Sequence, residues 1–472
     1  MSTQLDSPSL YAAREPIFPK RVSGRFRTLK WIVMALTLAV YYVTPWIRWD
    51  RGPAMPDQAV LVDLAGRRFF FFGIEIWPHE FYIVAGLLVM AGLGLFLFTS
   101  ALGRVWCGYA CPQTVWTDLF ILVERWIEGD RNARLRLHRQ AWDGRKARLR
   151  AVKWAAWLGI AVMTGGAWVF YFTDAPALAH DLLTLQAHPV AWVTIALLTA
   201  TTFLFGGFFR EQICIYACPW PRIQSAMMDE DTLTVAYRDW RGEPRGKASA
   251  AHKGDCIDCM ACVNVCPMGI DIRDGQQMEC ITCALCIDAC DQMMDRTGRP
   301  RGLIDYLALR DEEAERQGAA PRPVRSHLLR PRTLLYATLW SAIGMMLAAA
   351  LVMRSQIDLS VTPVRNPLYV TLTDGSIRNA YELRLRNKQQ QDTTYLLAVD
   401  PVGALELGIE GEDGAAILVP ADQTLTRRVY LRAEAGSPMA GTASTPVTLT
   451  ARDPDSSAVA RIKTVFHGKD AQ

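Results

Sequence analysis

The apolar positions of this chain come in blocks, with polar and charged positions gathered between them. Five stretches contain no Asp, Glu, Lys or Arg: 31–47, 81–103, 154–173, 189–209 and 334–353. All approach or exceed the length at which a helix crosses a bilayer, about 20 residues, so each predicts a membrane helix. The first is short, but Lys30 and Arg48 can snorkel at its ends, and Trp31, Tyr41, Tyr42 and Trp46 suit the interface. It lies too deep behind a basic arm, and lacks the small-residue cleavage site, to read as a removable signal peptide. Beyond about residue 355 the period changes to two. Tyr381, Leu383 and Leu385 face one way while Glu382, Arg384 and Arg386 face the other. Similar runs occur around Tyr369 and over 395–399, 416–419, 428–431, 447–451 and 462–466, with turn signals at Asp374-Gly375, Gly408 and Asp453-Pro454. Some seven short strands predict an immunoglobulin-like sandwich. It carries no metal-ligand cluster, which leaves partner docking or a passive cap as its role.

Composition adds little to this until position is considered. The 472 residues are 51% hydrophobic and carry a net charge of +4, which would suit two or three ordinary domains if the apolar residues were evenly spread. The cations are unevenly placed too. Arg14, Lys20, Arg21, Arg25, Arg27 and Lys30 precede the first helix, and Arg131, Arg134, Arg136, Arg139, Arg145, Lys146, Arg148 and Arg150 link the second to the third, whereas 174–188 has no Lys or Arg. The positive-inside rule then places the N-terminus, that basic link and the insert between helices four and five in the cytoplasm. Five crossings put the C-terminus outside. The basic run is topogenic, and nothing resembles a groove-reading module, so nucleic acid is excluded as a partner.

All 12 cysteines lie before residue 291, on the inner side of this arrangement. Cysteines kept out of an oxidising compartment read as metal ligands, not disulfides. Eight of them spell C-x2-C-x2-C-x3-C twice, as Cys256, Cys259, Cys262 and Cys266 before Pro267, then Cys280, Cys283, Cys286 and Cys290. This is the two-cluster ferredoxin pattern, in which the fourth cysteine of each run ligates the other cluster. One [4Fe-4S] cluster is therefore assigned to Cys256, Cys259, Cys262 and Cys290, and the second to Cys280, Cys283, Cys286 and Cys266. Zinc knuckles share the C-x2-C spacing but do not explain the doubled x2, x2, x3 series.

The other four cysteines form an internal repeat. Cys107 and Cys111 follow the second helix, Cys214 and Cys218 follow the fourth, and each C-x3-C is closed by a proline, Pro112 or Pro219. In a helix the i, i+4 spacing puts both sulfurs of a pair on one face, and the proline marks a break. Helices two and four run the same way, so the four thiols meet at the inner surface. Soft sulfur selects Cu(I), zinc or an iron–sulfur cluster; buried cysteines can also pack as small hydrophobes. Upstream, His79 beside Pro78 and His188 beside Pro189 repeat at the outer ends of the same helices. They could take a metal or a quinone headgroup, or be interfacial capping residues.

These residues carry a family resemblance. WIRWDR from Trp46, WCGYACPQTVWTD from Trp106, ERWIEGDR from Glu124, the long FREQICIYACPWPRIQSAMMDEDTLTVAYRDWRGEPRG from Phe209, CPMGIDIRDGQQMECITCALCIDACD from Cys266 and PRGLIDY from Pro300 resemble the FixG/CcoG/RdxA family of cytochrome c oxidase accessory proteins. The resemblance runs from the first helix to about residue 306; Asp305 stands where the family pattern has a basic residue. It implies a multi-pass protein of the bacterial inner membrane that supports assembly of cbb(3)-type cytochrome oxidase by reducing Cu(II) to Cu(I). Cys107, Cys111, Cys214 and Cys218 would be its catalytic and metal residues, holding copper or a third iron–sulfur cluster. A more distant likeness to NapH-type quinol-linked membrane ferredoxins supplies the alternative, electron transfer without copper; a non-catalytic assembly scaffold is the third.

The expected organisation is a cytoplasmic basic arm (1–30), a membrane domain with four helices and both C-x3-C-P motifs (31–235) and a cytoplasmic two-[4Fe-4S] ferredoxin-like domain (236–310). A flexible linker (311–332), a fifth membrane helix (333–354) and a periplasmic all-β immunoglobulin-like domain (355–472) complete it. Expected partners are membrane lipid, copper ions, oxidase assembly factors or oxidase subunits, and a separate electron donor, quinol or flavoprotein. A homo-oligomer is also open. No G-x-G-x-x-G follows a strand, so a nicotinamide or flavin donor would be a separate protein.

Overall fold

The charge-free runs fold as long helices, and the chain is a multi-pass membrane protein. In the computed structural model the described residues are 16–52, 55–246, 254–320, 322–355, 357–389, 391–401, 403–412, 414–456 and 458–469. Among them four helices are long and apolar enough to cross a membrane: Arg25–Trp46, Phe81–Leu102, Pro189–Phe209 and Pro331–Val352. The helix expected over 154–173 is present as the 26-residue Gly144–Val169, but it is not one of these four. Lys153, Thr164, Gly159, Gly165 and Gly166 dilute its apolar character. It nonetheless runs beside Pro189–Thr202, so close that a Cβ on Gly165 would stand 2.8 Å from the Ile195 carbonyl oxygen. At about 1.5 Å per residue it is long enough to follow its neighbours across the bilayer. The link between the first two long helices holds an antiparallel meander, Val60–Asp63, Arg68–Phe71 and Ile74–Ile76, which the hydrophobic pattern alone does not announce.

The cysteine-rich insert is closed at its neck by an antiparallel pair, Thr234–Tyr237 with Ile304–Leu307. Asp305, on the second of these strands, lies 3.8 Å from Arg25 and 4.0 Å from Arg238. The insert is fastened to the first membrane helix by Asp288, on helix Leu285–Arg296. Its carboxylate accepts from the backbone N–H of Arg27 at 2.7 Å and of Phe26 at 3.3 Å. Such N–H groups have no partner within their own helix, and the positive end of the helix dipole favours an anion there. Asp288→Ala leaves buried donors unmet and should cost about 2 kcal/mol. A lower midpoint in a thermal melt followed by the visible iron–sulfur absorbance is the expected readout; an unchanged midpoint would remove the carboxylate from this role.

The expected flexible linker is ordered by pairing between distant residues. The expected linker 311–332 holds part of helix Leu309–Arg316, all of Val324–Leu328 and the start of the last membrane helix. Asp311 and His327 are buried against each other at 2.9 Å, and Arg330 and Arg332 reach Asp229 at 2.5 and 2.7 Å. In the polar run 238–253, Arg238 pairs with Glu315 at 2.8 Å and Arg241 with Asp255 at 2.6 Å; residues 247–253 of it lie outside the described residues.

By its internal contacts the chain divides into two units, Met1–Ile47 with Gln58–Met346, and Arg48–Asp57 with Leu347–Gln472. The second unit is the expected β-sandwich. One sheet runs Glu406–Ile409, Thr424–Ala433, Ile377–Asn387, Ile357–Pro363, with Val370–Thr371 added beside Ile377–Asn387; the other runs Ala416–Val419, Thr393–Asp400, Thr445–Arg452, Val459–Phe466. Tyr381, Leu383 and Leu385 point into the core as their alternation requires. Strands Ile357–Pro363 and Glu406–Ile409 are additional to the expected ones, and that expected around Tyr369 is only Val370–Thr371.

Candidate functional site

Each cysteine run begins as a loop and enters a helix at its third cysteine. Cys256 and Cys259 precede helix Ala261–Val265, Cys280 and Cys283 precede Leu285–Arg296, and the helices carry Cys262 and Cys286 in their first turns. The backbone around each central cysteine is unusual in the same way. Asp258 and Met260 flank Cys259, Thr282 and Ala284 flank Cys283, and all four have φ between 53 and 58°. A left-handed conformation at a non-glycine residue costs roughly 1–2 kcal/mol. Spent at four positions, two in each run, it alternates the backbone hand in the way that turns successive N–H groups into an anion-binding concavity, the arrangement found at many iron–sulfur sites.

The sulfurs line two cavities. Cys256, Cys259, Cys262 and Cys290 line one, beneath Tyr237, Met294 and Leu303. Cys266, Cys280, Cys283 and Cys286 line the other with Cys262 at the shared wall, and its remaining lining is apolar, with Ile270, Ile272, Ile281 and Leu285. The division is the one the crossed spacing predicts. Among the described residues no three His, Cys, Asp or Glu side chains close on a point fit for one metal ion; the thiols ring spaces. Burial pushes Cys262 and Cys280 up to about 11 and Cys266 and Cys290 up to about 12, neighbouring thiols adding to this for Cys266 and Cys290. Eight thiols, two left-handed loops and apolar walls fit [4Fe-4S] clusters, whose ligation must drive those protons off.

The second set of thiols sits against the second cavity. Cys107 and Cys214 pack on the core containing Cys283, Ile281 and Leu285. The Tyr109 hydroxyl donates to the Cys283 carbonyl at 3.2 Å, and the Arg104 guanidinium donates to the Met278 carbonyl. The Cys107 thiol donates to Gln224 Oε1 at 3.1 Å. Burial raises Cys214 to about 12, and the proximity of Cys111, Cys107 and Cys218 reinforces it. Burial also raises Cys107, against the pull of Arg104. A cavity of about 630 Å³ opens beside Cys214 and Cys218, and Met278 and Glu279 line it too.

The two pairs do not lie on one helical face as the i, i+4 spacing implies. Cys107 is on helix Val105–Tyr109, but Cys111 is extended with ψ 129° before Pro112 opens the next helix. Cys218 is likewise extended with ψ 125° before Pro219, and Cys214 stands in a π-turn, Ile213–Ala217. A residue before proline is driven out of the α region, which sets both second cysteines. The outer histidine pair falls partly outside the described residues. His188 is exposed and caps helix Pro189–Thr202, its Nδ1 accepting from the Val190 N–H at 3.3 Å; His79 lies in the turn Pro78–Glu80, and its side chain is outside the described residues. The flanking residues Asp258, Met260, Thr282 and Ala284 carried no signal of glycine-like conformation, and Arg104, Gln224 and Asp288 none of their partners.

Comparison with known proteins fits this geometry. Residues 209–308 match the 4Fe-4S dicluster domain, 83–130 a 4Fe-4S binding domain, and 347–469 the IG-like fold at the C-terminal of FixG. The chain is 65% identical to Protein RdxB of Cereibacter sphaeroides over 473 residues, covering 99% of each. It is 66% identical to Protein RdxA of the same organism, over 98% of this chain and 99% of the relative. With the nitrogen fixation protein FixG of Rhizobium meliloti it shares 53% identity, over 87% of this chain and 84% of that one.

Proposed function

The chain belongs to the FixG/RdxA/RdxB family of membrane 4Fe-4S proteins, and from that premise we propose that it reduces Cu(II) to Cu(I) at Cys107, Cys111, Cys214 and Cys218, in the service of cbb(3)-type cytochrome oxidase assembly in the bacterial inner membrane. The carrying observation is that Cys107 and Cys214 pack on the core around the second cluster cavity while Cys214 and Cys218 line the open cleft. When bound, the two [4Fe-4S] clusters supply one-electron chemistry over a range of about −700 to +450 mV. The protein's own groups favour the direction. Glu279 offers hard oxygen that suits Cu(II), whereas Cys214, Cys218 and Met278 offer soft sulfur that favours the one-electron product, Cu(I). The basic arm and the Arg-rich second link support an insert facing the cytoplasm and a C-terminal domain facing the periplasm.

A second reading has its own observation. The 4Fe-4S binding domain matched over 83–130 contains only Cys107 and Cys111 as cysteines, so a cluster there would need Cys214 and Cys218 to complete it. One experiment separates the two. With all four cysteines replaced by serine, the copper reading expects Cu(II) reduction by the anaerobic, prereduced protein to vanish, monitored by a Cu(I) chelator, while iron content stays at the wild-type value. Loss of iron with the activity favours a third cluster, and undiminished reduction rejects these thiols as the site.

A further inference from the structure

A second polar cavity, with no cysteine in its lining, lies where Pro189–Phe209 ends and Gly144–Val169 begins. It holds about 410 Å³ and is lined by four cations, Lys146, Arg150, Lys153 and Arg210, but only two carboxylates, Glu124 and Glu211. Two of the carboxylates at hand, Glu124 and Glu128, are already shared. Glu124 receives Arg210 at 2.6 Å, Arg134 at 2.7 Å and Lys153 at 3.6 Å; Glu128 behind it receives Lys153 at 3.0 Å and Arg150 at 3.1 Å. Lys146 is only 6% exposed, yet its ammonium meets the carbonyls of His138 and Gln140 and the face of Trp142, and no carboxylate within ion-pair distance among the described residues. Asp143, its nearest acidic neighbour in sequence, is spent on the Lys146 backbone N–H and on Gln140.

Buried charge that a protein does not neutralise needs an outside counter-ion. Indoles give the rim its character: Trp142 is 69% exposed and Trp154 39%, as suits the zone between headgroups and acyl chains. Basic pockets between membrane helices with such rims take anionic headgroups. We propose that this cavity binds the phosphodiester headgroup of an anionic phospholipid, with Lys146 and Arg150 facing the phosphate and Trp142 and Trp154 flanking the glycerol. A quinol headgroup, being neutral, would leave the excess charge in place.

The test is a native mass-spectrometric titration of the detergent-solubilised holoprotein with phosphatidylglycerol, phosphatidylcholine and inorganic phosphate. Phosphatidylglycerol should be retained in preference to phosphatidylcholine and resist displacement by phosphate, and Lys146→Gln, with its iron–sulfur absorbance intact, should weaken retention about fivefold. Equal retention of the two lipids, displacement by inorganic phosphate, or an unaffected Lys146→Gln overturns the assignment. Should that variant misfold, photocrosslinking of phosphatidylglycerol to the wild-type protein decides: label on peptides from the 138–157 stretch supports the site, and label only elsewhere refutes it.

Discussion

Replacing Cys290 with alanine should empty the site of Cys256, Cys259 and Cys262, and leave the cluster of its own run, at Cys280, Cys283 and Cys286, in place. The reason is the path of one helix. Leu285–Arg296 starts beside the second cavity, where it presents Cys286, and Cys290 one turn later lines the first. A turn advances about 5.4 Å, enough to carry the ligand from one cavity to its neighbour. Cys266→Ala should produce the reciprocal loss, because Cys266 closes the second cavity from the end of the first run. Each variant should retain about half the iron and sulfide of the wild type. In electron paramagnetic resonance each should show one magnetically isolated reduced cluster where the wild type shows two interacting ones. If Cys290→Ala instead lost the Cys280, Cys283 and Cys286 cluster, the crossed assignment would be wrong.

Gly108→Ala should disable the second cluster and Cu(II) reduction together, and spare the first cluster. Gly108 sits between Cys107 and Tyr109 on the short helix of the first thiol pair. A Cβ there would stand 2.6 Å from the Ile281 carbonyl oxygen and 3.0 Å from Cys283 Cα. Both are backbone atoms, so no side chain can swing aside. The loop ligating the second cluster or the helix bearing Cys107 must move, at a cost of about 1–3 kcal/mol for overpacking, and with it the spacing between the two sulfur sets. Gly166→Ala is the matched control, since a Cβ there meets nothing within 4 Å. A Gly108→Ala protein with full iron content and undiminished copper reduction would show that this close contact has no part in function.

How much of this was legible in the sequence depends on the distance over which each signal acts. The partition of eight cysteines between two cavities could be read because spacing along the chain sets it. The C-x3-C-P repeat could be read too, but not its differing backbones, α around Cys107 and π around Cys214. Two π-turns, Phe203–Phe209 and Ile213–Ala217, flank Arg210, held at φ 41° while its guanidinium pairs with Glu124, far away in sequence. The order in 311–332 and the Asp288 fastening depend likewise on remote partners, so charged residues there read as solvated. The helix expected over 154–173 was visible as a charge-free run, yet its glycines, of which Gly165 packs closely on Pro189–Thr202, leave it less apolar than the four membrane-length helices. The left-handed residues flanking Cys259 and Cys283 left no trace, because only Asp258 among them is of a type that favours that conformation.

Quantifying iron, acid-labile sulfide and zinc in the anaerobically purified protein tests directly what the cysteine-lined cavities hold. Iron and sulfide in equal amounts, no less than two [4Fe-4S] clusters require, with negligible zinc, is the expected result. Zinc in place of iron, or iron without sulfide, would contradict it.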